Sequence, residues 1–389
     1  MNTSHPSLVT APSRCWAEVD CDALRHNAAA VRAVVGPQAA ILAVVKADGY
    51  GHGMVPVARA LAVGGEVAAF GVANVAEAAV LLEALPGAAI TVFSPVLPSE
   101  RREAIRLRVT PWISSVEEAQ GFACAHAEAT SAGKGGDFLP LDVEIKVDTG
   151  MGRMGVLETG LAELRRTVAD LPALRLAGIV THLPLADEDE AFTNGQMSRF
   201  ETMVKSDPNL VCLARRHAQN SAGIITHSRD GCNVVRPGLM LYGSSPVPEF
   251  QTRLRPVLTL KTRVSLVREM PAGRGISYGR TFVTPGPMRV GTLAVGYADG
   301  YPRHLSNTGA EVLVRGRRCL VLGRVTMDQI MIDLSALPAD ISPGEEVVLI
   351  GRQGEQEILA AELAQKSGTI AWEIFTGLTA RVRRRYLNA

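Results

Sequence analysis

Ile41-Leu42-Ala43-Val44-Val45-Lys46-Ala47-Asp48-Gly49-Tyr50-Gly51-His52-Gly53 carries an apolar run into a lysine and then into a glycine-rich turn. An uninterrupted apolar run is what a central parallel strand needs, because helices cover both of its faces. A lysine ending such a strand is partly desolvated. Desolvation disfavours the ammonium form, so the amine becomes a better nucleophile and a Schiff-base partner for an aldehyde. The plain alternative is a strand-end lysine that snorkels into water, and for an isolated lysine that is the commoner outcome.

Outward from this run, strand-like segments recur at Ile41 to Val45, Ala68 to Ala73, Ala89 to Phe93, Val109 to Ile113, Leu141 to Val147, Leu176 to His182, Arg216 to Asn220 and Val234 to Leu241. Amphipathic helical patterns lie between them at Met54 to Val63, Val75 to Leu85, Ser115 to Ala129, Leu161 to Leu171 and Asn194 to Val204. Strands alternating with helices over roughly 200 residues fit a closed (β/α)8 barrel of the TIM type better than an open sheet. The helix Ala23 to Val34 is expected to cover the barrel or pack at its rim. After Gly243 the texture changes to Pro- and Gly-punctuated short strands at Thr259 to Leu266, Gly291 to Val295, Glu311 to Val314, Cys319 to Leu322, Met331 to Asp333 and Glu346 to Ile350, with a helix near Ala360 to Lys366. The expected division is an N-terminal barrel over 1–243 and a C-terminal mainly-β domain over 244–389. The strand Cys15 to Val19 is a candidate to join the second domain.

Composition excludes several classes. With 47% hydrophobic and 20% charged residues, the chain has ample apolar surface to bury and no disorder signature. Forty basic residues against 39 acidic leave a net charge of +1, which argues against a nucleic-acid or membrane-surface partner. The cluster Arg381, Arg383, Arg384, Arg385 reads as a solvated C-terminal tail. Six scattered cysteines show no metal-ligand spacing and fit a reducing compartment. Met1 to Arg14 lacks a basic segment followed by a long apolar one, and no apolar run approaches the ~20 residues of a membrane span, so a cytoplasmic location is expected.

In a barrel of this type the active site lies where the strands end. Those ends are polar here: Lys46 after the first strand, Lys146 and Asp148 at the fifth, His182 at the sixth, Asn220 and Ser221 at the seventh, and Arg236 within the eighth. Singly, His182 reads as a satisfied core histidine and Asn220 as a turn residue; jointly they form a ring. Gly238, in Val235-Arg236-Pro237-Gly238-Leu239, follows the eighth strand, where backbone N–H groups can bind an anion. An amine on one strand and a phosphate cradle across the mouth together point to pyridoxal 5'-phosphate.

The chain resembles the fold-type III pyridoxal-phosphate enzymes, and within them the alanine racemase family. The resemblance rests on AVVKADGYGHG (43–53), KVDTGMGRMG (146–155), THL (181–183), HAQNSAG (217–223), VRPGLMLYG (235–243), ISYGRTF (276–282), VGYADGYPR (295–303) and GRVTMDQ (323–329), in that order over nearly the whole chain. It implies that Lys46 carries the cofactor and is the base on the D-alanine side, and that Tyr278 is the opposite base. Inversion needs proton removal on one face of a planar carbanion and delivery on the other. The resemblance further implies that Arg153 bonds Tyr278 and holds the substrate carboxylate with the backbone of Met327, beside Asp328, and that His182 lies nearby. Arg236 matches the arginine facing the pyridine nitrogen; related decarboxylases have a glutamate there. Tyr50, Ser221, Gly238 and Leu239 match phosphate contacts, with Asn220 beside them. Lys146 matches a lysine carbamylated in many members, a modification left open here. Tyr278 and Met327 would complete the active site of a partner subunit, which implies a homodimer.

Two departures stand out. Thr326 replaces the cysteine that many members have before Met-Asp, and Ala380-Arg381-Val382 offers no C-terminal phosphate-binding tyrosine. The implied function is interconversion of L- and D-alanine, supplying D-alanine for peptidoglycan. The alternatives are a broad-specificity amino-acid racemase and a non-catalytic pyridoxal-phosphate carrier, the latter disfavoured because such carriers lack the β domain. No metal is expected.

Overall fold

The computed structural model describes residues 13–132, 139–228 and 231–389. The first twelve residues, part of the stretch read above for a leader, lie outside the described residues. Cys21–Arg255 forms one compact unit; Pro256–Leu387 forms another together with the chain preceding Cys21. The strand β1 (Cys15–Asp20) thus belongs to the second unit.

The first unit is built on β2 (Ala40–Val44), β3 (Ala69–Val72), β4 (Ile90–Val92), β5 (Thr110–Ile113), β6 (Leu141–Lys146), β7 (Leu174–Val180), β8 (Arg215–His217) and β9 (Val234–Val235). Every pair is parallel and runs β8-β7-β6-β5-β4-β3-β2-β9. The remaining seam, between β8 and β9, is closed by Asn233 N–H donating to Arg216 O (2.9 Å), Arg216 N–H to Asn233 Oδ1 (2.8 Å) and Arg236 N–H to Gln219 O (3.0 Å). Ile41, Ala43 and Val45 of the opening run are fully buried, as its composition requires.

One strand is much shorter than the apolar pattern implied. Val234 to Leu241 keeps strand geometry only at Val234–Val235, and Leu239–Tyr242 is a 3-10 turn. Pro237 has no N–H to give a ladder, while the Arg236 N–H is already committed to Gln219. A seven-residue helix, Arg101–Leu107, also escaped the periodicity reading; it covers the β4–β5 crossover. The helix Cys21–Val35 packs against Met54–Val63, Ser221–Thr226 and the 3-10 turn, so it covers the barrel's flank where an eighth crossover helix would lie. Its Asn27 is fully buried and anchors it, donating to Leu241 O (3.1 Å) and Arg255 O (2.8 Å) and accepting from Arg255 N–H (2.8 Å).

The second unit adds β10 (Leu258–Met270), β11 (Gly275–Ile276), β12 (Phe282–Val283), β13 (Met288–Leu293), β14 (Glu311–Val314), β15 (Arg317–Leu322), β16 (Ile330–Asp333), β17 (Glu346–Gln353), β18 (Gln356–Ile358) and β19 (Arg383–Leu387). Its main sheet runs β18-β17-β14-β15-β16-β13-β10-β1-β19, and β17 also pairs with β10. β1 is antiparallel to β10, Cys15 opposite Thr262. The arginine cluster is solvated at Arg381, Arg383 and Arg385, but it is not a loose tail. β19 pairs parallel with β1, Arg385 lies over the buried Trp16 ring at 4.9 Å, and Arg384 donates to the carbonyls of Leu378, Thr379 and Val382. Long arginine stems cover apolar surface while their heads find carbonyls, which charge counting alone does not reveal. No helix among the described residues is long and apolar enough to cross a membrane.

Candidate active site

Lys46 leaves β2 into a turn of inverted hand. Ala47, Asp48, Gly49 and Tyr50 have φ of 52°, 52°, 61° and 51°. Three of these carry a Cβ, and each such residue costs on the order of 1–2 kcal/mol in this region. The turn is held by Gly49 N–H to Val45 O (2.8 Å), Gly51 N–H to Ala47 O (2.9 Å), and Met54 N–H to Asp48 Oδ1 (2.8 Å), which ties it to the helix Met54–Val63. Burial lowers the Lys46 pKa from the ordinary lysine value, the nearby Arg153 lowers it further, and Glu77 opposes both. The residue is half-buried, with cations nearby.

β6 places Lys146 and its loop places Arg153. Lys146 is buried, donates to Val147 O (2.7 Å), and has its pKa pushed down to about 7, first by burial and then by Arg236 and Arg153, against Asp148. Asp148 accepts from the N–H groups of Gly150 (2.9 Å), Met151 (2.8 Å) and Gly152 (2.9 Å), folding the loop tightly; Val156 N–H then returns to Lys146 O (2.8 Å). The exposed Arg153 lies on this lap, where its field acts on Lys46, Lys146 and His182.

Arg236 ends a buried chain of polar groups. Its Nη1 faces His217 Nδ1 at 3.0 Å, and His217 Nε2 faces Glu144 Oε2 at 3.0 Å. An arginine can only donate, so His217 Nδ1 accepts and Nε2 carries the proton given to Glu144. Burial pushes the His217 pKa down, which agrees with a neutral ring in that tautomer. Burial alone would raise the Glu144 pKa, but His217, Arg215 and the Trp112 Nε1 donor at 2.8 Å hold it below the usual range. The charge alternates cleanly: carboxylate, neutral imidazole, guanidinium. Arg236 also donates to Thr181 O (2.8 Å) and Ala218 O (2.9 Å) and lies 5.5 Å from the Trp112 ring centroid. Burial lowers its pKa to about 10, so it stays charged at neutral pH. His182 Nδ1 lies 3.4 Å from Arg236, and burial plus four surrounding cations keep His182 neutral.

Across the mouth, Ser221 Oγ accepts from Gly238 N–H (2.9 Å) and Met240 N–H (3.4 Å). Asn220 caps Ser221–Thr226 by accepting from Gly223 N–H (3.0 Å), and its amide donates to Leu183 O (2.9 Å). Tyr50 stacks on Tyr242 with ring centroids 4.9 Å apart. A Cβ on Gly238 would lie 2.6 Å from the Tyr50 hydroxyl, so only glycine allows this approach. Tyr50, Ser221, Gly238 and the buried Leu239 therefore gather into one small polar cradle. Cradle and cations suit a phosphorylated, aldehyde-bearing cofactor. Among the described residues, no group of three or more His, Cys, Asp or Glu is placed to hold a metal ion.

Tyr278, Met327 and Asp328 belong to the β unit. Tyr278 is 71% exposed and follows Ser277 at φ 62°, whose hydroxyl donates to Arg324 O (2.6 Å). Met327 is 53% exposed, and its carbonyl accepts from Ala298 N–H (3.0 Å). Thr326, which stands where many members of the resembling family have a cysteine, donates through Oγ1 to Gln329 O (2.7 Å) and closes the turn. Asp328 pairs with Arg381 at 2.8 Å.

Glu77, Trp112, Glu144 and His217 were not singled out from sequence. One signal was available: Asp142, Glu144 and Lys146 alternate along β6, which puts three charges on one face of a strand that should be buried. His217 lay unassigned within its motif. Gly178 makes room for Glu144, since a Cβ there would come within 3.1 Å of its Cγ.

Residues 19–246 match the profile described as alanine racemase, N-terminal domain, and residues 257–386 that of the alanine racemase C-terminal domain. The chain is 41% identical over 384 residues to an alanine racemase of Halothermothrix orenii, covering 98% of each, and 42% identical over 378 residues to one of Symbiobacterium thermophilum, covering 95% of this chain and 96% of the relative. Among solved structures, alanine racemase from D-cycloserine-producing Streptomyces lavendulae superposes with a TM-score of 0.89 at 35% identity, covering 97% of this chain and 98% of that one. Alanine racemase from Bacillus anthracis with bound L-Ala-P gives 0.85 at 34%, covering 98% and 96%. With both domain profiles matched and near-complete coverage at about 40% identity, the chain belongs to the alanine racemase family and is an amino-acid racemase.

Proposed function

We propose that this protein is a pyridoxal 5'-phosphate-dependent alanine racemase that interconverts L- and D-alanine with two bases, one on each face of the substrate α-carbon. The observation that carries the proposal is the half-buried Lys46 amine at the barrel mouth, in one unit with the Tyr50–Ser221–Gly238 cradle and the buried Arg236. The relatives' names support alanine as substrate. When bound, the cofactor supplies an electron-withdrawing ring that acidifies the α-hydrogen.

The chain's own residues then divide the work. Lys46 tethers the cofactor and moves the proton on the D-alanine side, helped by a lowered pKa. Tyr278 moves it on the other face. A phenol with an ordinary pKa of about 10 needs cations beside it to act as a base, and Arg153 takes that role while holding the substrate carboxylate with the Met327 backbone, beside Asp328. Tyr50, Asn220, Ser221, Gly238 and Leu239 hold the phosphate. Arg236, charged and unable to give up a proton at neutral pH, holds the ring without protonating it; neutral His182 lines the cofactor site. The Lys146 amine, near pKa 7, has enough neutral form to take up carbon dioxide, and the resulting carboxylate would orient Arg153. Because Tyr278 and Met327 lie in the β unit, the reading assigns them to a partner subunit's site in a homodimer. The product, D-alanine, would feed peptidoglycan synthesis in the cytoplasm.

The test is circular-dichroism measurement of L- and D-alanine interconversion with added cofactor, beside a panel of serine, lysine and arginine. Alanine is expected to turn over fastest. No turnover of alanine would sink the proposal, and equal turnover of lysine or arginine would replace it with a broad-specificity racemase.

A further inference from the structure

The inverted turn after Lys46 needs something to over-determine it, since four successive left-handed residues do not hold that geometry unaided. A carboxylate from the next βα unit does so. Glu77, in the helix Val75–Ala84, accepts from Ala47 N–H through Oε1 (2.8 Å) and from Ala73 N–H through Oε2 (2.7 Å). Ala47 N is the amide joined to the Lys46 carbonyl, and Ala73 directly follows β3. One side chain therefore staples the C-terminal ends of β2 and β3 at the lysine itself. Asn74, the helix N-cap, fixes Glu77 in turn by accepting its N–H at 2.9 Å.

The ordinary role of a glutamate three residues after an N-cap is to reach back to the N-cap amide in a capping box. Glu77 instead spends both oxygens on Ala73 and Ala47, the second of them thirty positions away in sequence. Helix capping alone does not call for that. Glu77 also brings negative charge to a mouth where Arg153, Lys146, Arg236 and Lys46 are all potential cations, and it opposes Arg153 in setting the Lys46 amine.

We propose that Glu77 is a positioning residue for Lys46, its carboxylate holding the left-handed turn that aims the lysine amine and supplying the local negative charge that balances Arg153. The inference rests on the reading of Lys46 as the cofactor-bearing lysine.

The test uses the full-length chain stripped of cofactor, as wild type, Glu77→Gln and Glu77→Asp. Each is reloaded with pyridoxal 5'-phosphate across a pH series, trapped with borohydride, and the labelled lysine located and quantified by peptide mass spectrometry. In Glu77→Gln, which keeps the size but loses the charge and one acceptor, capture at Lys46 slows about tenfold or more at its plateau, in line with loss of one charge-assisted hydrogen bond. The pH midpoint of capture also falls, because a neighbouring anion that favoured the ammonium form is gone. Glu77→Asp keeps the midpoint near wild type while the plateau still drops, separating charge from reach; a purely structural role would not split them. Unchanged plateau and midpoint in Glu77→Gln, with label at Lys46, overturn the inference and leave the Lys46 reading standing. Label at another lysine in wild type overturns both.

Discussion

The barrel mouth and the Tyr278 turn hold their functional candidates in opposite ways. In the barrel, Glu144, His217 and Arg236 are buried and joined in one chain, and the buried Lys146 donates to Val147 O. In the β unit, Tyr278 and Met327 stand on tight turns with more than half of their surface exposed. Buried charge must carry its partners with it, because an unpaired ion in a low dielectric is costly. An exposed aromatic on a fixed turn has no such requirement within its own unit, and can serve a surface outside it. One region carries a buried paired chain beside a surplus of cations; the other is geometrically rigid but chemically open.

The contrast is sharpest when each side loses its base. Lys46→Ala should abolish alanine racemisation together with the absorbance band of lysine-bound cofactor. Tyr278→Phe should lower turnover by roughly 10²–10⁴-fold, the usual range for a general acid–base group, and keep the band. If Tyr278→Phe also loses the band, the exposed turn is needed for binding, and the division fails.

Breaking the barrel's internal pairing comes next in size. Glu144→Ala leaves Arg215 and the His217–Arg236 pair without their anion, and removing one partner of a buried pair costs roughly 3–5 kcal/mol. Urea unfolding checks this, and a loss under about 1 kcal/mol would mean water has taken the carboxylate's place.

The smallest effect is a pH dependence. Lys146 has a folded pKa of about 7 against an ordinary 10.5. A lysine whose folded pKa is depressed costs stability fully below the folded value, and the cost vanishes above the unfolded one. Lys146→Met should therefore raise stability, read as melting temperature, most below pH 7, with the gain fading toward pH 10.5. Melting in carbon-dioxide-free buffer tests it; a gain that grows with pH would refute the burial argument.

Much of the architecture was legible in the chain. The helix Met54–Val63 and the strand Glu311–Val314 were bounded as observed, because an apolar face at the right period is visible in sequence. Where propensity and context disagreed, reading failed. Ala47 and Tyr50 carry no local sign of a left-handed conformation; hydrogen bonds accepted by the Glu77 and Asp48 carboxylates hold it. Arg381, Arg383, Arg384 and Arg385 read as a solvated tail, and the last three lie in a strand only through pairing with β1.

By itself, then, the sequence determined the barrel, the mainly-β second unit, and the ring of polar strand ends with Lys46 among them, because these follow from local periodicity and from residues ending apolar runs. Only the tertiary structure decided which polar groups face one another: Glu144 with His217, His217 with Arg236, and Glu77 with the amide after Lys46. Hydrogen bonds between residues tens of positions apart depend on strand register and barrel closure, and those are properties of the folded chain.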